Sequence, residues 1–115
     1  MEYTKSIQNR QPHTWLDWIE QGIKKYEGRL KRDFWTTIKK GDIIRWRDEN
    51  GHEVPTKVKD IVEYKSFGEA FNYLGSLLVP IDEITSEGVD KLYSQFYTDK
   101  DVSKYGVLAI ELELF

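Results

Sequence analysis

Three charged residues near the start of the chain have the types and spacing that chemistry needs. The segment Gly22–Arg29 reads Gly-Ile-Lys-Lys-Tyr-Glu-Gly-Arg, so that Lys24, Glu27 and Arg29 lie close together in sequence. On a β-strand Glu27 and Arg29 would point to the same face, because side chains alternate. The pattern is explained either by a ligand-facing charge cluster or by a solvated ion-pair cluster of the kind common on protein surfaces.

Other chemical patterns are missing. The chain has no cysteine, which excludes disulfides, thiolate metal ligands and a cysteine nucleophile. Its two histidines, His13 and His52, lie far apart and have no partner at metal-ligand spacing. The glycines form no phosphate-binding loop, and no serine sits in a nucleophile elbow. We therefore expect no metal and no cofactor.

The charged segment resembles the signature of a known family. Its G-x-K-x-x-E-x-R pattern is similar to that of the ASCH family, a branch of the PUA-like small β-barrels. The Lys-Lys-Gly-Asp turn at 39–42 and the strand at 105–110 resemble two further parts of that family. The resemblance spans roughly residues 3–115 and implies an α+β fold, a small antiparallel β-barrel with helices packed around it. We expect a single domain over residues 1–115.

The resemblance also implies a site. In the ASCH family the signature lines a cleft between barrel and helices, which implies binding of RNA, a nucleotide or a nucleoside. Lys24 would face this ligand, Arg29 would suit a phosphate or carbonyl, and Glu27 could accept from an exocyclic amine. Trp15 or Tyr26 could stack on a base. The alternative is that Glu27 and Arg29 form a structural pair holding two strands.

Two further functions stay open on the same resemblance. Some small ASCH proteins are amidohydrolases that deacetylate N4-acetylcytidine with a lysine and a threonine of the signature and an acid before the late helix. Lys24 matches the lysine, Glu27 replaces the threonine, and the acid falls near Asp82 or Glu83. A catalytic set of Lys24, Glu27 and Asp82 would need Glu27 to activate water. The remaining alternative is a protein-interaction domain with a vestigial cleft.

Charge is distributed unevenly along the chain. The net charge of −3 argues against indiscriminate nucleic-acid binding. Residues 24–47 nevertheless contain nine Lys or Arg and three Asp or Glu, a net charge of +6 that leaves −9 for the remainder. Either one face is basic, which would suit an anionic ligand, or these charges are scattered over several faces.

The distribution of apolar residues bears on where in the cell we expect the protein. No apolar run approaches the about 18 residues that a membrane span needs, and the first residues lack the apolar core of a signal peptide. We expect a cytoplasmic monomer with no membrane partner.

Alternation and turn residues predict the strands that position the charged segment. Asn50-Gly51 is the strongest hairpin signal in the chain. The strand that returns from it alternates imperfectly, which predicts a bulge near Val58, Ile61 and Val62. From Val107 onward strict alternation predicts a half-buried antiparallel strand. The predicted strands cover residues 3–8, 24–30, 43–47, 53–64 and 107–115.

Caps and apolar stripes predict the helices. A first helix should begin near Pro12, carry Trp15 in the core or a pocket wall, and end at Gly22. Residues 31–38 should contain a helical turn. Ser66 has the spacing of a capping box, and Gly75 should end its helix. The clearest amphipathic stripe predicts one helix over 85–97. This helix should bury Val89, Leu92 and Phe96.

Overall fold

The computed structural model describes all 115 residues, which form one mixed β-sheet with four α-helices packed around it. Two short 3₁₀ turns complete the regular structure, and the first of them lies where a helical turn is predicted over 31–38. The strands are β1 Glu2–Ser6, β2 Tyr26–Leu30, β3 Ile43–Arg47, β4 Glu53–Tyr64 and β5 Val107–Leu114. The helices are α1 Trp15–Glu20, α2 Phe67–Leu74, α3 Ser86–Tyr93 and α4 Asp99–Tyr105. None of these helices combines the length and the apolar character that crossing a membrane requires.

The sheet is a half-barrel that stays open between its first and last strands. The strand order is β1-β3-β4-β5-β2, so β1 and β2 are the two edge strands. This confirms the predicted α+β, PUA-like barrel with helices around it. One pair differs from the antiparallel prediction, because β1 runs parallel to β3. Such a pair needs a crossover connection, which the segment containing α1 and β2 provides.

The β3–β4 hairpin follows its sequence signals closely. The turn holds Gly51 at a φ of 85°, and the Asp48 carboxylate accepts hydrogen bonds from the backbone N–H groups of Asn50 and His52. The register between β4 and β5 shifts between Val58 and Asp60, which confirms the bulge. Both long strands therefore lie where alternation and turn chemistry predict them.

The closing strand β5 is more buried than predicted. Every residue from 107 to 110 is buried, so the half-buried pattern holds only for the later part of the strand. The physical reason is position, since β5 lies between β4 and β2 in the middle of the sheet, and α2 packs against it. A strand covered on both faces loses the polar alternation that a solvated face imposes.

Two helix predictions need correction. The first helix begins at Trp15 rather than at Pro12, which precedes it in a cis peptide bond with Gln11. The predicted helix over 85–97 ends at Tyr93, and Phe96 is 43% exposed instead of buried.

A separate helix, α4, follows after a turn at the end of α3. The Thr98 hydroxyl caps it by accepting from the backbone N–H of Asp101. The apolar stripe continues through the intervening turn because the Tyr97 ring packs 5.6 Å from the Phe67 ring. The apolar spacing therefore predicts which side chains pack inward, but it does not predict the turn that separates α3 from α4.

The predicted start and end of α2 are confirmed. The Ser66 hydroxyl accepts from the backbone N–H of Glu69, and Gly75 ends the helix at a φ of 55°. The helix then packs closely against α3, where the Gly68 N–H donates to the Asp90 carboxylate at 2.8 Å. This pair of helices supports the Phe67 and Tyr93 rings, which stack with centroids 3.9 Å apart.

Candidate functional site

A cleft of about 580 Å³ opens where the half-barrel is unclosed, between the end of β1 and the middle of β2. Gly28 of β2 lines it, and α1, α3 and the turn after α3 supply aromatic side chains. The size lies in the range of small-ligand sites, which are concave, largely apolar and carry few polar groups. The aromatic residues of the lining are Trp15, Tyr93, Phe96 and Tyr97.

A three-membered ion cluster lies along β2 at this cleft. Glu27 and Arg29 share one face of the strand, as alternation predicts, and Arg29 Nη2 lies 2.9 Å from Glu27 Oε2. Lys24 Nζ lies 3.4 Å from the other carboxylate oxygen. Glu27 is 6% exposed, so one buried carboxylate holds two cations. Both of its oxygens are therefore engaged by protein groups.

Arg29 connects the two edges of the open sheet. Its Nη2 donates to the Ser6 carbonyl at the end of β1 at 3.0 Å, and its Nε donates to Glu27. The guanidinium also lies about 5 Å from the ring centroids of Trp35 and Trp46. A planar guanidinium suits such simultaneous pairing and stacking. Arg29 lines the cleft and at the same time bridges β2 to β1.

Lys24 is enclosed behind the cleft. Its side chain is 0% exposed, and its Nζ donates to the carbonyls of Tyr26 and Leu78 at 2.5 Å. Burial lowers the pKa of Lys24 from 10.5 to about 8, while the neighbouring Glu27 carboxylate acts in the opposite direction. Lys24 does not line the cleft, so the predicted contact between this amine and a ligand has no support in its placement.

The lowered pKa of Lys24 predicts a rise in stability with pH. Between about 8 and 10.5 the unfolded chain holds a proton at this amine that the folded chain has released. The free energy of unfolding should therefore rise through this window, by up to ~1.4 kcal/mol per pH unit, and show no contribution below it. Urea unfolding at several pH values measures this. The exposed-site variant Lys100→Met should keep the slope and Lys24→Met should lose it, and equal slopes would contradict the assignment.

Tyr26, Asp82 and Glu83, which the sequence places near the ligand, lie elsewhere. Tyr26 alternates with Glu27 and faces away from the cleft, where burial and the neighbouring Glu111 carboxylate raise the pKa of its phenol. Asp82 and Glu83 are exposed in the loop before α3, and neither lines the cleft. The structure therefore brings together Trp15, Glu27 and Arg29 but leaves out Asp82 and Tyr26.

Three buried polar atoms lack a hydrogen-bond partner in the protein, and all three belong to the cleft lining. They are the Gln8 side-chain oxygen, the Trp15 indole N–H and the Tyr93 hydroxyl. Trp15 and Tyr93 are 4% and 5% exposed. Leaving such a group unpaired costs about 1–3 kcal/mol, so native proteins rarely keep them without a reason. Their residues share one cleft, which makes this cleft the candidate functional site.

The sequence signals did not single out Gln8 or Tyr93. Tyr93 belongs to the apolar stripe of α3, where an aromatic residue reads as core. Burial raises the pKa of its phenol well above the usual value near 10. Gln8 ends the predicted strand over residues 3–8 and follows β1 in the structure, and no local signal marks it as a site residue.

The basic segment 24–47 is scattered over the molecule instead of forming one face. Its cations pair with acids from distant parts of the chain, and Lys24 is buried. These ion pairs are Lys31–Glu63, Arg32–Asp101, Lys40–Asp60 and Arg45–Glu2. The second of the two predicted charge distributions is therefore the one observed.

The mouth of the cleft carries balanced charge. Arg10 and Arg47 stand beside Asp48 and Glu49 in the lining. Arg10 forms no ion pair within 4 Å, whereas Arg47 lies 3.9 Å from Glu53. No group of three or more His, Cys, Asp or Glu residues could hold a metal ion. Arg10 is thus the cation at the mouth that is free to meet an anionic group.

Comparisons with known proteins agree with this architecture. The family model described as "ASCH domain" matches residues 12–115. The chain is similar to the crystal structure of hypothetical protein PH0355, with 35% identity, a TM-score of 0.84 and full coverage of both chains. It is also similar to the solution structure of protein PF0455 from Pyrococcus furiosus, with 33% identity and a TM-score of 0.77. That match covers 100% of this chain and 98% of the other. No curated protein matches the chain significantly.

Proposed function

The chain belongs to the ASCH domain family, and from that premise we propose that its cleft binds a nucleotide, a nucleoside or a short single-stranded RNA. One observation carries the proposal, namely that every buried side-chain polar atom without a partner belongs to a residue that lines this one cleft. A nucleobase supplies donors and acceptors on a flat apolar ring, which matches unpaired polar groups set among aromatic side chains.

The aromatic side chains give such a ligand surfaces to pack against. The Trp15 and Tyr93 rings have centroids 5.9 Å apart, and Phe96 is partly exposed beside them. Stacking of a base on an aromatic side chain is worth about 1–3 kcal/mol and does not require a particular base. Aromatic packing would therefore supply affinity, and the unpaired polar atoms would orient the ring.

The charged residues take roles different from those that the signature suggests. Both oxygens of Glu27 are engaged by Lys24 and Arg29, which leaves this carboxylate little capacity to read a base. Arg29 keeps one guanidinium nitrogen, Nη1, without a protein partner, and this nitrogen can meet a carbonyl or a phosphate. Arg10 at the mouth suits a phosphate that leads out of the cleft.

Binding has more support than the amidohydrolase alternative. Deacetylation with Lys24 would need its amine to reach a substrate carbonyl, yet the amine is enclosed by two backbone carbonyls and Glu27. A catalytic Asp82 would need to enter the cleft from an exposed loop outside the lining. For the protein-interaction alternative, the exposed large apolar side chain of the cleft lining is Phe96, and this single side chain indicates no particular partner.

The proposal is tested by titrating the protein with nucleosides, nucleoside monophosphates and short single-stranded RNA. The four tryptophan indole N–H signals in a ¹H–¹⁵N spectrum report binding, and Trp15→Phe identifies the signal of Trp15. We expect the Trp15 signal to shift more than that of Trp35, which does not line the cleft and lies about 5 Å from the Arg29 guanidinium. Absence of any shift with every one of these ligands at low salt would contradict the proposed function.

A pair of variants tests the role of charge at the mouth. Arg10→Ala should weaken binding of a monophosphate several-fold and leave binding of the matching nucleoside unchanged, whereas Lys100→Ala should change neither.

The affinity for RNA should depend only weakly on salt, because the basic residues are scattered and paired. A plot of the logarithm of the affinity against the logarithm of the salt concentration should fall with a slope of about one. The same samples, incubated with N4-acetylcytidine, report any release of acetate.

A further inference from the structure

The strand β2 has one residue in the cleft whose backbone N–H and C=O are both left without a partner in the protein. In an antiparallel pair, alternate residues turn their N–H and C=O toward the partner strand. Hydrogen bonds from Leu112 N to Lys25 O and from Lys31 N to Gly106 O fix this alternation between β2 and β5. The residues at 27 and 29 therefore bond to β5, and those at 26, 28 and 30 turn their peptide groups to the open edge.

Gly28 is the unsatisfied residue on this edge. The Tyr26 carbonyl accepts from Lys24 Nζ, and the Leu30 carbonyl accepts from Arg32 N. Neither the N–H nor the C=O of Gly28 forms a hydrogen bond with another group of the protein. The residue is nevertheless buried and lines the cleft. Because β1 is not paired with β2, no strand covers this position. A buried peptide group without a partner is uncommon in a native fold.

One unpaired polar group lies close to Gly28, and two others belong to the same cleft lining. The Tyr93 hydroxyl lies 3.5 Å from the position that a Cβ on Gly28 would take, and the same Cβ would meet the Phe67 ring at 3.0 Å. The absence of a side chain at Gly28 therefore lets the Phe67 and Tyr93 rings approach the strand closely. The Trp15 indole N–H and the Gln8 side-chain oxygen complete a set of donors and acceptors in the same cleft.

We propose that the free peptide edge of Gly28 reads the hydrogen-bonding edge of one unpaired nucleobase, which takes the place of the missing neighbouring strand. The N–H of Gly28 donates to an acceptor on the pairing edge of the base, and its C=O accepts from the adjacent donor on that edge. The Watson–Crick edge of a base presents such a neighbouring donor and acceptor. The Tyr93 hydroxyl and the Trp15 indole N–H meet the remaining carbonyl or ring nitrogen, and the sugar points toward Arg10.

This inference rests on the proposed function and narrows it to a base whose pairing edge is free. A base within a duplex has this edge occupied and is excluded, whereas a free nucleoside or an unstacked base in a single strand is accepted. Recognition by a peptide edge and stacking together favour the planar heterocycle over the phosphate backbone, which agrees with the balanced charge of the mouth.

Methylated nucleosides test the inference directly. Uridine is compared with 3-methyluridine, whose methyl group blocks the pairing edge, and with 5-methyluridine, whose methyl group lies elsewhere. If guanosine binds more tightly, 1-methylguanosine is the blocked form. We expect the blocked form to bind at least tenfold more weakly and 5-methyluridine to bind like uridine. Equal binding of blocked and unblocked forms would overturn the peptide-edge inference while leaving the proposed function intact, whereas no binding of any ligand would overturn both.

A second test uses one substitution that should leave stability unchanged or raise it while weakening ligand binding. Tyr93→Phe keeps the ring and removes an unpaired buried hydroxyl, so the thermal midpoint of the free protein should rise or stay unchanged. The same variant should bind the best nucleoside about three- to tenfold more weakly, because one hydrogen bond to the ligand is lost. A lower midpoint with unchanged affinity would mean that the hydroxyl serves the fold and would remove it from the proposed contact set.

Discussion

Replacing Glu27 by glutamine is expected to lower the free energy of unfolding by about 3–5 kcal/mol, because it removes the one carboxylate between two cations. Lys24 Nζ and Arg29 Nη2 lie 3.4 Å and 2.9 Å from its oxygens, and Glu27 is almost fully buried. An amide of the same shape fills the space but cannot compensate the charge of either partner. Removing one member of a buried ion pair leaves an uncompensated charge, which water cannot reach to stabilise.

A matched substitution separates this effect from the general cost of losing an ion pair. Glu63 lies 2.8 Å from Lys31, and both side chains are about half exposed. Glu63→Gln should therefore cost less than about 1 kcal/mol. Urea unfolding of the two variants and the parent measures the difference. Equal, small losses in both would mean that Glu27 is not needed for stability and is available to a ligand after all.

Glu27→Thr extends the same argument to the hydrolase alternative. This change restores the threonine of the related amidohydrolases but also removes the carboxylate that holds Lys24 and Arg29. We expect this variant to be destabilised like Glu27→Gln and to gain no turnover of N4-acetylcytidine. Gained turnover with retained stability would favour the amidohydrolase ancestry of the cleft and contradict the structural role of the cluster.

Replacing Gly68 by alanine is expected to lower the free energy of unfolding by about 2–3 kcal/mol, opposite to the usual sign for this change in a helix. Alanine is ordinarily favoured over glycine by about 1 kcal/mol inside a helix. At Gly68, however, the new Cβ would lie 2.4 Å from Asp90 Oδ2 and 2.7 Å from the Ser86 carbonyl oxygen. The backbone oxygen cannot rotate away, so α2 and α3 must separate, and overpacking of this kind costs about 1–3 kcal/mol.

The effect of Gly68→Ala is compared with that of a substitution at an exposed residue of the same helix. Asn72→Ala lies on the solvent side of α2 and should change stability by no more than about 0.5 kcal/mol, in the stabilising direction. Separation of the helices should also disturb the Phe67–Tyr93 stack beside the cleft, so Gly68→Ala should weaken nucleoside binding as well. If alanine at position 68 raised the thermal midpoint, the close packing of α2 on α3 would be refuted.

The sequence by itself determined the parts of this protein that depend on near neighbours. Side-chain oxygens that accept from N–H groups three residues later predicted the caps, as at Ser66, and Asn50-Gly51 predicted the hairpin. The two-residue period of a strand placed Glu27 and Arg29 on one face, and the resemblance of the signature predicted the family and a small β-barrel. The caps, the hairpin and the shared strand face each follow from interactions within a few residues, so a local pattern predicts them, whereas the barrel was predicted from the resemblance.

Only the tertiary structure decided which of these residues line the cleft. Lys24 is spaced like a site residue, but the carbonyl of Leu78, distant in sequence, encloses its amine. Tyr93 reads as core in its helix, yet its hydroxyl ends unpaired beside Gly28 of a different element. The open edge between β1 and β2 arises from the strand order. Burial and the lack of a hydrogen-bond partner are properties of atoms far apart in the chain, and no periodicity within one segment records them.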